Sequence, residues 1–72
     1  MINFIPNVNK CPEDIQGNAK LVMNVIINAS EGRLGPLTIY KIGKYSQLDQ
    51  NDLSEAINEL ALKNLIRTEE WV

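Results

Sequence analysis

Leu37-Thr38-Ile39-Tyr40-Lys41-Ile42-Gly43-Lys44-Tyr45-Ser46-Gln47-Leu48-Asp49-Gln50-Asn51-Asp52-Leu53-Ser54-Glu55-Ala56-Ile57-Asn58-Glu59-Leu60-Ala61-Leu62-Lys63-Asn64-Leu65-Ile66-Arg67 is the stretch whose periodicity decides the fold. Thr38 offers a hydroxyl to the first free backbone amides of a short helix, about two turns long, that turns Ile39, Ile42 and Tyr45 inward and leaves Tyr40, Lys41 and Lys44 partly outward. Ser46-Gln47-Leu48-Asp49 breaks that pattern. Asp49 or Asp52 can cap a second, longer helix, and Asp52-Leu53-Ser54-Glu55 has the acceptor-then-Glu spacing of a capping box. That helix buries Leu53, Ala56, Ile57, Leu60 and Ala61 at steps of three and four, and Asn64 supplies a left-handed stop. From Leu65 the period becomes two. Leu65, Arg67, Glu69 and Trp71 share one side of a strand, and Ile66, Thr68, Glu70 and Val72 the other. Neither side is purely apolar, which suits an edge strand or a two-stranded ribbon.

Upstream, Ile2 and Phe4 alternate with polar neighbours in an extended segment over residues 1–11, and Pro6 ends the alternation. After Pro12, with Glu13 and Asp14 in a possible first turn, Ile15, Ala19, Val22, Ile26 and Ala29 recur at helical steps. Leu21, Met23 and Val25 widen this stripe, and Gly32 is a natural stop. Gly17 leaves the helix start open, because Asn18 is also a good cap. Arg33-Leu34-Gly35-Pro36-Leu37 reads as a tight connection or one short extended piece. The expected fold is mainly α: three helices with a small β-ribbon in a single domain over residues 1–72.

Composition agrees. At 72 residues, 44% hydrophobic and 22% charged, the chain has globular composition, and a domain this small buries only about 60% of the surface exposed by its unfolded chain. Leu21 to Ile27, the densest apolar run, is interrupted by Asn24 and is too short for a bilayer span. The first residues lack the charged start and long apolar run of a secretory signal, so a cytoplasmic location is expected. Cys11, alone, cannot form an internal disulfide, and without any histidine there is no Cys/His set for zinc. Cys11 reads as a small, partly buried apolar residue. Lack of histidine also removes the commonest general base near neutral pH. No catalytic residue, metal or cofactor is expected, and the chain reads as a binding protein rather than an enzyme.

The run from Leu37 to Arg67, about half of the chain, resembles the core of the winged helix-turn-helix superfamily. There a short helix with a Thr-like cap precedes a turn, and a longer helix ends in a Leu-x-x-x-Gly-Leu-Ile phrase leading into the wing. Leu60-Ala61-Leu62-Lys63-Asn64-Leu65-Ile66-Arg67 looks like that phrase, with Asn64 in the glycine position, and asparagine tolerates the same backbone conformation. The resemblance implies a helix-turn-helix core over residues 37–67. It also implies a wing, shortened here because the sequence stops at Val72. The last strand then needs a partner: the 34–38 region, the Ile2 to Ile5 segment, or a second subunit.

In DNA-binding members of that superfamily the third helix enters the major groove. Its outward positions in this sequence are Asp52, Glu55, Asn58, Glu59 and Leu62, preceded by Asp49, with no cation before Lys63. Phosphate binding relies on cations, so a helix of this sign repels a duplex. A net charge of −2 and a pI near 4.9 agree. Helix-dipole stabilisation of the early acids and a Glu59–Lys63 pair offer a purely structural explanation of the same residues. The leading expectation is a small regulatory module whose Asp49, Asp52, Glu55, Asn58, Glu59 and Leu62 engage a protein partner, such as the basic DNA-binding surface of a repressor, in the manner of an antirepressor. Its shortness and its Asn, Ile and Lys content suit a phage or bacterial origin. The alternatives are a direct DNA-binding regulator, with Arg33, Lys41, Lys44 and Lys63 on phosphates and Asn58 or Gln50 on bases, and a structural dimerisation domain. In the latter, Phe4, Val72 and the strand edges make the contact, and Trp71 is either a core lid or an interface anchor.

Overall fold

The computed structural model describes residues 1–32 and 37–70. Of the connecting segment expected over 33–37, residues 33–36 lie outside the described residues, as do the role of Arg33 and the strand-end positions Trp71 and Val72. Among the described residues the elements follow in the order β1 (Ile2–Pro6), α1 (Gly17–Gly32), α2 (Ile39–Ser46), α3 (Gln50–Leu62) and β2 (Ile66–Glu70). The architecture is mainly helical with one two-stranded antiparallel sheet.

α1 begins later than the Pro12 start suggested. Residues 12–16 form a separate turn, in which the Ile15 amide donates to the Pro12 carbonyl at 3.1 Å and Gln16 Nε2 donates to the Glu13 carbonyl at 2.8 Å. Gly17 has φ +67°, a left-handed conformation that cannot lie inside a regular helix and that favours glycine. Glu13 and Asp14 are therefore not in the first helical turn, and Asn18 lies inside the helix rather than at its cap. Ile15 is buried nonetheless, joining Ala19, Val22, Met23, Ile26 and Ile27 in the core. Leu21, expected to widen the stripe, points outward; Val25 and Ala29 are half-buried against the core.

Of α2, the Ile42 and Ser46 side chains are buried. Ile39 and Tyr45, expected inward, are 46% and 53% exposed. The core covers only a narrow arc of this short helix, and those two residues fall on either side of it. Thr38 caps it as expected, accepting from the Lys41 amide at 3.3 Å. Gly43 passes close to α3: a Cβ there would lie 3.1 Å from Leu53 Cδ2. α3 buries Leu53, Ala56, Ile57 and Leu60; Ala61 is exposed, because it lies past the edge of the same arc.

At the end of α3 the amide of Asn64 donates to the Ala61 carbonyl at 3.0 Å and that of Leu65 to the Leu60 carbonyl at 3.0 Å, with Asn64 at φ +59°. This is a Schellman ending with asparagine in the left-handed position. It turns the chain directly into β2, whose partner is β1, with Ile2 opposite Glu70 and Pro6 opposite Ile66. Of the three partners left open by the sequence, the N-terminal segment is the one that pairs with β2 among the described residues. Leu37 lies along the other edge of β1: the Phe4 amide donates to its carbonyl at 2.9 Å, and its own amide donates to Asn3 Oδ1 at 2.6 Å. No helix among the described residues is long and apolar enough to cross a membrane.

Candidate interaction surface on the third helix

With 3.6 residues per turn, the side of α3 opposite Leu53, Ala56, Ile57 and Leu60 is the line Asn51, Glu55, Asn58 and Leu62. All four are exposed, Leu62 to 88%. Glu59 and the half-buried Asp52 flank this line on one side, and Gln50, Ser54 and Ala61 on the other. From Gln50 through Leu62 there is no lysine or arginine, so the surface carries three carboxylates, the amides of Gln50, Asn51 and Asn58, and a bare leucine.

Asp49 is not part of that line. It is the N-cap of α3, its Oδ1 accepting the Asp52 amide at 2.8 Å. Of the two possible caps, then, Asp49 is used, and the Asp52–Glu55 capping box does not form. Asp52 occupies the first turn, where its negative charge meets the positive end of the helix dipole. Glu59 and Lys63 form no salt bridge within 4.0 Å; Lys63 is the C-cap residue, its amide shared between the Ala61 and Glu59 carbonyls.

The cations expected on phosphates are divided. Lys44 is exposed and Lys41 half-buried, one turn apart on α2, while Lys63 follows α3. Beside the acidic line lies a feature that sequence reasoning missed: an open groove of about 490 Å³ between α2 and α3, lined among others by Ile39, Tyr40, Gly43, Lys44, Leu48 and Leu53. Tyr40 at its rim is 79% exposed. Gly43 in mid-helix is the signal that points to it, because a residue without Cβ lets the Leu53 side chain of α3 lie against the α2 backbone. Among the described residues no group of three or more Cys, Asp or Glu is placed to hold a metal ion.

No known protein family matches this chain, and no curated protein or solved structure matches it either.

Proposed function

We propose that this chain is a small regulatory binding protein of winged-helix type, which modulates transcription through protein contacts of its acidic third helix. The observation that carries this reading is the exposed line on α3: Glu55, Asn58 and Leu62 with Asp52 and Glu59 alongside, and no cation along the helix. The order α2, turn, α3, β2, with a left-handed Asn64 before the strand, supports the winged-helix assignment. A basic surface of the kind that binds DNA complements this line, the carboxylates taking the place of phosphates. Leu62 at the C-terminal end of the line, and the groove on the Gln50 and Ser54 flank at its N-terminal end, offer apolar anchors at the two ends of the charged face.

The test is an affinity capture from host extract at low salt, with the natural chain and an Asp52→Ser, Glu55→Ser, Glu59→Ser variant as paired baits. Asp49 is left unchanged because it caps the helix. The natural chain should retain a DNA-binding protein that duplex DNA displaces, and the triple variant, still helical by circular dichroism, should not. A partner that survives the three substitutions overturns the proposal. The exposed Lys44 and the helix order favour a second reading, direct DNA binding. A gel shift by the chain itself, weakening steeply with salt and lost in Lys41→Ala with Lys44→Ala, would establish it instead.

A further inference from the structure

We infer that the outer edge of β2 is the seam of a homodimer, in which two copies join antiparallel into one four-stranded sheet with Thr68 on the two-fold axis. The inference is independent of the α3 partner. Because the Asn7 amide donates to the Leu65 carbonyl at 2.9 Å and bonding alternates along an antiparallel pair, Arg67 and Glu69 turn their backbone groups towards β1. The N–H and C=O of Ile66, Thr68 and Glu70 therefore point the other way. No strand covers that edge among the described residues, where the sheet is β1 and β2 alone. An edge of this kind is a template for another strand.

Charge then selects the occupant and its register. Ile66 is buried, so Thr68 and Glu70 share its face of the strand, and Arg67 and Glu69 stand on the opposite face. A two-fold axis at Arg67 would set arginine against arginine, and one at Glu69 would set glutamate against glutamate. An axis at Thr68 sets Arg67 opposite the second copy's Glu69, twice. It also makes Arg67–Glu69 the non-hydrogen-bonded pairs, whose side chains come closest, while Ile66, Thr68 and Glu70 supply about six backbone hydrogen bonds. Within one chain Arg67 Nη2 already lies 4.0 Å from Glu69 Oε1, so the assembled seam carries an alternating set of four charges. Edges guarded against association commonly present charge that opposes itself; this one complements itself.

Sedimentation equilibrium on the full chain from micromolar to millimolar concentration tests the inference. The natural chain should show a monomer–dimer equilibrium. Arg67→Glu or Glu69→Arg, each placing like charges across the seam, should weaken association by about tenfold or more, and the double exchange Arg67→Glu with Glu69→Arg should restore it. Glu55→Ser, on the exposed face of α3 and outside both strands, leaves the seam charges in place and should leave association unchanged. A chain that stays monomeric throughout overturns the inference, as does a dimer indifferent to both single exchanges or not recovered by the double one.

Discussion

Replacing Asn7 by alanine should lower stability far more than its exposed position just past a strand end suggests. Its side chain joins three parts of the chain: Nδ2 donates to the Asn64 carbonyl at 2.9 Å, and Oδ1 accepts from Arg67 Nη1 at 2.6 Å. The first bond holds the stop of α3, and the second holds β2 against the end of β1. An intramolecular hydrogen bond is worth about 0.5–1.5 kcal/mol net, and exposure places both of these low in that range, so the pair contributes about 1–1.5 kcal/mol. A domain of this length has only about 4–11 kcal/mol in total. The loss converts to a fall in Tm of about 5–10 °C. The assay is thermal and urea unfolding by far-UV circular dichroism, at one low protein concentration so that self-association does not add stability. A double-mutant cycle with Arg67→Ala should give a coupling of about 0.5–1 kcal/mol, because the two residues share a bond. An Asn7→Ala variant that melts with the natural chain, or a cycle with no coupling, refutes the view that this side chain fastens the strand pair to α3.

Two further substitutions probe the ends of α3. Asp49→Ala should cost about 1 kcal/mol, seen as a lower urea midpoint, whereas Asp49→Asn, which keeps the acceptor for the Asp52 amide, should stay close to the natural chain. At Asn64, glycine should hold or raise the midpoint, and valine should lower it by about 1–2 kcal/mol, since a branched side chain resists positive φ.

The features legible in the sequence are the locally determined ones. Thr38 and Asn64 announce themselves because a cap needs only a particular side chain or a tolerated φ, and both act within a few residues of their own position. Asp49 and Asp52 compete as caps three residues apart, and the sequence leaves the choice open because either spacing is chemically sound. Burial is less legible. Periodicity gives the direction of a helix face but not its width, so an arc drawn too wide takes in Ile39, Tyr45 and Ala61, and Leu21 likewise. The partner of β2 is beyond local reading altogether: it depends on β1 returning from the far end of the chain, and the Asn7 tie that secures the pairing joins residues with no periodic relation. The outward line of α3 follows from its inward one, which is why Glu55, Asn58, Glu59 and Leu62 stand on the exposed side as expected and Asp49, outside the helix, does not join them.

That line also bears on why the acids are there. Helix stability accounts for Asp49, which caps α3, and for Asp52, which sits in the first turn within reach of the dipole. The dipole does not account for Glu55 and Glu59, which lie beyond that turn, and Glu59 forms no salt bridge with Lys63; both remain good helix formers at exposed positions. Leu62 leaves nearly nine-tenths of its surface in water, so its contribution to folding is helix propensity rather than burial. Both ends of α3 are fastened by backbone and cap bonds on its other sides, so its outer face is free to vary without loss of the fold. In the function proposed above, the two carboxylates and the leucine on this face are where the protein partner docks, so substitutions there should alter capture of the partner and leave the urea midpoint close to that of the natural chain.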